Sequence, residues 1–289
     1  MSRVLRVLAP NPSVYTLEGT NTWVVGGDPA IVIDPGPAID AHLDEVARAA
    51  GRVAVVLVTH DHEDHAEGAV AFGERVGAPV HAWRLDGADR LRDGQRFTAD
   101  GVELQAMHTP GHSADHVVFL DDASGALFSG DAVLGRGTSF IDAPDGDLAK
   151  YLTSLRRMLD RHPKTIHPGH GPLVLDARAK LQEYLDHRAE RESQILEGLG
   201  EGARTTGDLV ERIYAEYPTD VRELAARSVS AHLAKLEAEG RVAATGRGDT
   251  RTWSIEQPKT CARCGRPVKG RMRYCGSCSL ALLQGDPSS

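Results

Sequence analysis

The eight residues VTHDHEDH, from Val58 to His65, place three histidines and three acids directly at the end of an apolar run. The preceding residues RVAVVLV show no alternation of apolar and polar positions, which is typical of a strand covered on both faces. Titratable side chains at the end of a buried strand are costly unless they are paired or bind a metal. This stretch therefore predicts a buried strand whose carboxyl end carries a metal site.

Three more histidine or aspartate residues follow other short apolar runs in the first 175 residues: His112 in HTPGHSADH, Asp131 in FSGD and His170 in HPGHG. Strands and helices interleave in this region, and mixed α/β sheets usually place their sites at the carboxyl ends of strands. We therefore expect a paired metal site with seven ligands. They are His60, His62, Asp64, His65, His112, Asp131 and His170.

The spacing of the first motif suits two neighbouring ions. Residues two apart in an extended segment project to the same side, so His60 and His62 can reach one ion. Asp64 and His65 come where the chain turns into a helix, and they suit a second ion. Five imidazoles and two carboxylates favour zinc, with iron or manganese as alternatives. Asp34, at an earlier strand end, is expected to hold a ligand through a hydrogen bond.

Isolated histidines at strand ends are usually structural residues with satisfied hydrogen bonds. We interpret His108, His116 and His167 in this way. His116 is also considered as an acid for the leaving group, although a metal-bound water would serve as well.

The pattern of apolar and polar residues changes after Gly171. Three amphipathic helical stretches precede RVAATGRGDTRTWSI, which reads as two short strands around a Gly-Asp turn. This order predicts a winged helix over residues 177–257, with Arg247 and Arg251 on the wing as candidate nucleic-acid contacts. Apolar residues at helical spacing in the third helix are expected to build the core of this module; they are Val229, Leu233 and Leu236.

All four cysteines lie in the last 30 residues, in a C-x2-C pair, ten residues, and a second C-x2-C pair. This spacing is typical of a zinc site with four thiolates, so a zinc-knuckle module with one structural Zn²⁺ is expected over residues 258–289. Its ligands would be Cys261, Cys264, Cys275 and Cys278. From Arg241 onward the chain has nine basic and three acidic residues against a net charge of −8 overall, which fits either a polyanion-binding tail or a solvated surface.

The rest of the composition places the chain in a broad class. No apolar run approaches the roughly 20 residues that span a bilayer, and the first residues do not read as a signal peptide. The absence of cysteine before residue 261 excludes a disulfide framework for the main fold. We expect a cytoplasmic protein that binds no membrane, and leave homo-oligomerisation open.

The motifs THDHEDH, HTPGH, SGD and PGHG, in this order and after GTNTWVV and IVIDPG, resemble those of the metallo-β-lactamase superfamily over residues 5–175. The resemblance implies an α/β fold, a four-layered αββα sandwich over residues 1–176. It also implies a first metal on His60, His62 and His112. The second metal would lie on Asp64, His65 and His170, with Asp131 as the bridge.

The resemblance further implies a dinuclear metal-dependent hydrolase that attacks with a metal-bound hydroxide, with Asp64 orienting the nucleophile. The zinc β-lactamases use a cysteine ligand, and this core has none, which argues against antibiotic hydrolysis.

The segment LGRGTSFIDAPDGDLAKYLTSL and the winged helix resemble one branch of that superfamily. The branch contains a mitochondrial metallo-β-lactamase-like endoribonuclease and glyoxalase-II-like bacterial hydrolases. The first hypothesis is therefore an endoribonuclease acting on single-stranded RNA, which the basic tail would help to bind. The second is a thioesterase acting on a small acyl thioester. A third is a nucleic-acid-binding regulator with a vestigial enzyme domain, against which the intact ligand set argues.

Overall fold

The computed structural model describes residues 3–202, 204–256 and 264. The chain divides into two compact units, a first unit through Glu190 and a second unit from Arg191. Helix α5 (Ala177–Gly200) begins at the sequence-based limit of the catalytic domain and runs through this division. The limits of 1–176, 177–257 and 258–289 stay a prediction.

The first unit contains a six-stranded mixed sheet. Its strands are β1 (Val4–Leu8), β2 (Asn21–Gly26), β3 (Ala30–Ile33), β4 (Val53–Leu57), β5 (Val80–Ala82) and β6 (Asp89–Arg90). They lie side by side in chain order, antiparallel from β1 to β3 and parallel from β3 to β6. The connections between the parallel strands contain α1 (Asp40–Ala50), α2 (Glu63–Ala66) and α3 (Ala69–Val76).

A second, five-stranded sheet completes the first unit. Its strands are β7 (Arg96–Ala99), β8 (Val102–His108), β9 (Val117–Asp121), β10 (Ala126–Gly130) and β11 (Thr165–Pro168). The order is β11-β10-β9-β8-β7, and only β10 and β11 are parallel. Helix α4 (Leu148–Asp160) connects these two, and the Asp147 side chain caps it by accepting the Lys150 N–H at 3.0 Å.

The two sheets pack face to face because successive strand residues point to opposite sides. Trp23 and Val25 of β2 lie in one buried cluster with Phe128 of the second sheet. Val24, between them in sequence, lies in a different cluster with Phe72 of α3 and residues of α1. Helices therefore cover the outer face of the first sheet, and the predicted mixed α/β class is confirmed.

The second unit has the element order of a winged helix. After the end of α5 come β12 (Arg204–Thr205), α6 (Thr206–Ile213), α7 (Thr219–Ala238), β13 (Val242–Thr245) and β14 (Thr252–Ile255). The strands form an antiparallel sheet in the order β12-β14-β13. Val229, Leu233 and Leu236 of α7 are buried in the core of this unit. The predicted winged helix and its core face are confirmed.

The helical segment after His62 is divided in two. The chain forms α2 and α3 with a break at Gly68. The Gly68 N–H donates to Gly36 O at 3.0 Å, and a Cβ on Gly68 would lie 2.9 Å from that oxygen. The break brings the start of α3 against the loop after β3.

Most of the cysteine motif lies outside the described residues. Cys261, Cys275 and Cys278 are among these, and Cys264 is described only as an exposed residue. The structural zinc therefore stays a prediction. Within residues 3–202 and 204–256, no helix is both long and apolar enough to cross a membrane.

Candidate metal centre

Loops at the carboxyl ends of four strands bring the seven predicted ligands together. The motif from His60 to His65 follows β4, and His112 follows β8. Asp131 comes directly after β10, and His170 two residues after β11. The side chains form two adjoining clusters, each compact enough for its ligand atoms to reach a single ion.

The first cluster contains three imidazoles. His62 Nδ1 lies 3.0 Å from His60 Nε2 and 3.2 Å from His112 Nε2. Nitrogens about 2.0–2.1 Å from a tetrahedral zinc ion are separated by roughly 3.3 Å. The three nitrogens therefore already have nearly the spacing that one such ion requires.

The second cluster combines one carboxylate with two imidazoles. His170 Nε2 lies 3.1 Å from Asp64 Oδ2 and 3.2 Å from His65 Nε2. The distance from His65 Nε2 to Asp64 Oδ2 is 3.4 Å. Thr20 Oγ1 also donates to Asp64 Oδ2 at 3.3 Å, which fixes this carboxylate from the β2 side.

Asp131 lies between the two clusters. Its Oδ1 is 3.3 Å from His170 Nε2 and 3.4 Å from His65 Nε2, and its Oδ2 is 3.8 Å from His112 Nε2. The Oδ1 atom is buried and accepts no hydrogen bond within the described part of the chain. A buried carboxylate oxygen without a donor fits an ion shared by both clusters. Gly169 leaves the necessary space, since a Cβ there would lie 2.7 Å from this oxygen.

Four of the five histidines have their second ring nitrogen bound to a protein oxygen, which orients each ring and leaves the other nitrogen for a metal. The acceptors are Thr59 Oγ1 for His60 at 3.0 Å, Asp34 Oδ2 for His65 at 2.9 Å, Phe140 O for His112 at 2.8 Å and Gly19 O for His170 at 3.2 Å. The donor types, their spacing and this orientation all fit two divalent ions.

Asp34 occupies the position expected of a residue that holds a ligand. Besides binding His65, it accepts the Thr59 N–H at 2.7 Å and the Thr59 hydroxyl at 2.8 Å. It is 2% exposed and has a left-handed backbone, with φ at 50°. One carboxylate therefore links β3 to both the first and the last histidine of the motif, because Thr59 in turn accepts from His60.

The two clusters differ in the pKa values of their histidines. Burial opposes a positive charge on His65, yet the carboxylates of Asp64, Asp131 and Asp34 outweigh it and hold the pKa of His65 well above its usual range. Burial is likewise outweighed at His170, where Asp131 raises the pKa to about 9. Conversely, His65 lowers the pKa of Asp64 to about 2 against the effect of burial. A metal that binds the second cluster must therefore displace protons.

In the first cluster, burial dominates. It lowers the pKa of His112 and, together with the neighbouring His65 and His116, holds the pKa of His60 well below its usual range. The imidazoles of His60 and His112 are therefore neutral at neutral pH and can bind a metal without losing a proton.

The remaining histidines of the region have structural surroundings. His116 Nε2 accepts the Asp131 backbone N–H at 3.2 Å, and burial holds the pKa of this ring well below its usual range. A ring that accepts there is not an acid, so the sequence-based suggestion of His116 as a leaving-group acid is not supported. His108 stacks on Trp83 with ring centroids 3.8 Å apart, and His167 packs against Trp23.

Sequence reasoning did not find several residues that build the site. Thr20 and the carbonyls of Gly19 and Phe140 hold ligands through atoms that no motif reveals. Asp61, Asp115 and Asp145 form a separate cluster of acidic side chains beside the first motif. Within it, Asp61 forms an ion pair with Arg84 at 2.9 Å. The THDHEDH spacing does signal that Asp61 must point away from the imidazoles on either side of it.

The two wing arginines differ in their surroundings. The Arg251 guanidinium lies 4.3 Å from the ring centroid of Trp253 and forms an ion pair with Glu237 at 3.2 Å. Arg247 is exposed.

Comparison with known proteins adds the family. Residues 15–88 and 82–170 match the model of the metallo-beta-lactamase superfamily, and residues 205–253 match that of the beta-lactamase associated winged helix domain.

Two relatives and one solved structure illustrate the match. The beta-lactamase-like protein 2 homolog of Drosophila melanogaster is 36% identical, over 83% of this chain and 90% of its own length. The atrochrysone carboxyl ACP thioesterase of Aspergillus chevalieri is 34% identical, over 88% of this chain and 87% of its own. A metallo-beta-lactamase family protein from Thermus thermophilus shares the fold, with a TM-score of 0.71 and 22% identity over 87% of this chain and 98% of its own. The protein belongs to the metallo-beta-lactamase superfamily and is a metal-dependent hydrolase.

Proposed function

We propose that the protein binds two divalent ions at the seven-residue centre and hydrolyses an acyl thioester. The observation that carries the dinuclear assignment is Asp131, whose buried, unbonded oxygen lies between two complete ligand clusters. The thioester assignment is supported by the 34% identity to a thioesterase over 88% of the chain. Zinc suits the five imidazoles best, and iron and manganese are the alternatives.

Bound ions would supply Lewis-acid activation of water and of the substrate carbonyl. The protein's own residues would orient the reactants. Asp64 is the proposed catalytic residue, because Thr20 and His170 fix its Oδ2 and the ionised carboxylate can orient the attacking water by accepting a hydrogen bond from it. Its pKa of about 2 keeps this carboxylate ionised at neutral pH.

The charges beside the centre favour a thioester over a long polyanion. Arg84 is neutralised by Asp61, and the Arg136 guanidinium by Glu18 at 2.7 Å. A phosphodiester chain is normally bound through lysine or arginine side chains that are free to contact phosphates. These two guanidinium groups are therefore already paired with acids of the same unit.

Cleavage of single-stranded RNA is the second candidate. The exposed Arg247 on the wing favours it, since an exposed guanidinium can contact phosphate. The engagement of Arg251 with Glu237 and Trp253 weakens the proposed pair of contacts. A purely regulatory, nucleic-acid-binding role is disfavoured by the complete ligand set.

The decisive experiment compares two substrates on one metal-loaded preparation. Turnover of an acyl thioester and of a labelled single-stranded RNA is measured for the wild type and for Asp64→Asn. Asp28→Asn, which alters an exposed aspartate bound to Arg52, serves as the matched control. We expect thioester turnover that Asp64→Asn abolishes and Asp28→Asn preserves. RNA cleavage with the same dependence, and no thioester turnover, would replace the proposal with the second candidate.

The cysteine module, a cytoplasmic location and a homo-oligomer remain proposals. Metal analysis tests the first directly: Cys261→Ser should lower the zinc content by about one ion per chain while activity on a small ester persists. Loss of that activity would mean that the module supports the catalytic unit.

A further inference from the structure

One of the four oxygens that orient the histidine ligands lies outside regular structure. The other three, on Thr59, Asp34 and Gly19, each lie within two residues of a strand. The Phe140 carbonyl, which accepts from His112, lies ten residues after β10 and eight residues before α4. Strand pairing therefore does not fix this carbonyl, and its position depends on side chains that bind the segment.

Residues 132–140, which we call the support segment, form no helix or strand. Two buried hydroxyls bind the main chain of its first half. The Tyr151 hydroxyl of α4 donates to Ala132 O at 2.6 Å, and the Leu134 N–H donates to the Tyr184 hydroxyl of α5 at 2.9 Å. Both tyrosine rings are fully buried, so this half is held by neutral groups of the core.

A buried cation holds the second half of the support segment. Arg188 of α5 is 3% exposed, and its Nη2 donates to Ser139 O at 2.5 Å. Its guanidinium also lies 5.6 Å from the ring centroid of Tyr151. Removing a charged group from water is unfavourable, but a charged donor makes a stronger hydrogen bond than a neutral one. A side chain this buried does not meet substrate from solvent, so any role of Arg188 in the reaction is indirect.

The residue that Arg188 holds is next to the acceptor of a metal ligand. His112 Nδ1 lies 2.8 Å from Phe140 O and 3.1 Å from Ser139 Oγ. Its Nε2, on the opposite side of the ring, lies 3.2 Å from His62 Nδ1 in the first cluster. An imidazole that donates through Nδ1 leaves the lone pair of Nε2 for a metal. The contact of Arg188 is therefore one residue away from the carbonyl that orients this ligand.

We propose that Arg188 is a positioning residue for the first metal site. It holds Ser139 and Phe140 where they keep the Nε2 atom of His112 directed at the first cluster. This inference rests on the metal binding of the proposed function, but it does not depend on a thioester as the substrate.

The second cluster provides an internal reference. Its histidines, His65 and His170, are oriented by Asp34 and Gly19, which lie beside β3 and β2. Loss of the Arg188 contact should therefore weaken metal binding at the first cluster and spare the second. A substitution that only destabilised the fold would not separate the two sites in this way.

The test uses Arg188→Met, which keeps most of the aliphatic stem and removes the donor and the charge. Competition with a chromogenic chelator measures the affinities for two Zn²⁺ ions. We expect one affinity to fall about ten-fold, the lower end of the range for residues that orient a ligand, and the other to stay within about two-fold. NMR of the protein loaded with ¹¹³Cd²⁺ then assigns the loss, because sites with three and with two imidazoles give separate resonances. The resonance of the first cluster should be the one that weakens.

Arg178→Met is the matched control, because Arg178 is an exposed arginine of the same helix. It should bind both ions as the wild type does. Unchanged affinities in Arg188→Met, or an equal loss at both sites, would overturn the positioning role and leave the proposed function intact. A wild type with fewer than two cadmium resonances from nitrogen and oxygen ligands would contradict the proposed function and this inference with it.

A measurement on the wild type covers the case in which Arg188→Met does not fold. NMR of metal-free protein with ¹⁵N-labelled histidine shows which ring nitrogen of His112 carries the proton, and His112→Gln assigns the resonance. We expect the proton on Nδ1, although free histidine favours Nε2, because the support segment already places Phe140 O and Ser139 Oγ to receive it. A proton on Nε2 would mean that the support segment does not orient this ring, and it would overturn the inference.

Discussion

The metal centre and the second unit differ in the kind of side chain that they bury. The centre buries His65 and His170 beside Asp131, so imidazoles and carboxylates lie together with little access to water. The second unit buries apolar side chains such as Leu233, and its ion pair between Glu192 and Lys235 is only partly buried. The first arrangement has the side chains of a metal site, whereas the second is stable through apolar burial.

This difference teaches where each region is sensitive. Substitutions in the centre should change metal content and turnover more than the free energy of unfolding. Substitutions in the core of the second unit should do the reverse. The following variants test the comparison from the largest expected effect to the smallest.

Asp131→Asn should have the largest effect. It removes the charge from a carboxylate that lies within reach of both clusters. We expect at least one ion per chain fewer than in the wild type and a loss of turnover greater than about a hundred-fold, beyond that of residues that only orient a ligand. Elemental analysis and steady-state kinetics measure both. Asp122→Asn, at an exposed aspartate paired with Arg161, is the control, and full metal content in Asp131→Asn would contradict the shared-ligand role.

Leu233→Ala should destabilise the second unit without changing the metal content of the centre. Leu233 is fully buried among Val229, Leu236 and Trp253, so its truncation leaves a cavity. The expected cost is about 2–5 kcal/mol in the free energy of unfolding of that unit. Hydrogen exchange of α7 peptides reports it, with the exposed Ala234→Ser as control. A parallel loss of metal would show that the two regions are not independent in the way we infer.

How far the sequence predicts the molecule differs between these regions. The ligand set could be found because a metal site concentrates chemically distinctive side chains at fixed short spacings, as in His60, His62 and His65. The core of α7 could be found because helical periodicity reports burial. Both signals are local, and local signals survive in a single sequence.

Most of the residues that orient the ligands could not be predicted, because their contacts are between distant parts of the chain. His170 is oriented by the carbonyl of Gly19, about 150 residues earlier in the chain, and a carbonyl carries no residue identity. The break at Gly68 depends on the close approach of Gly36. Asp34 is the exception, because a carboxylate at a strand end was recognisable by its type and position.

Asp34→Asn tests this exception. The amide replaces an acceptor that serves His65 Nδ1 and both donors of Thr59. We expect metal affinity to fall about 10–100-fold, as for other residues that orient a ligand. Competition with a chromogenic chelator measures it, and Asp28→Asn again provides the control. Unchanged affinity would mean that the histidine ring is held by packing alone.

Glu192→Gln tests the opposite region and should have the smallest effect. The Glu192 carboxylate, 17% exposed, contacts Lys235 at 2.6 Å and also Arg241. Burial raises its pKa, but these two cations outweigh burial and lower it overall. A lowered folded-state pKa contributes stability above the unfolded pKa of about 4.3, and this contribution disappears as the pH falls through the folded value. At pH 7 the variant should therefore be less stable by at most about 1 kcal/mol, and the two proteins should converge in acid. Denaturation at several pH values measures this, with the exposed Glu197→Gln as control. If the difference in the free energy of unfolding persists in acid, Glu192 stabilises the unit through packing of its methylene groups. The partly buried ion pair would then not stabilise the second unit.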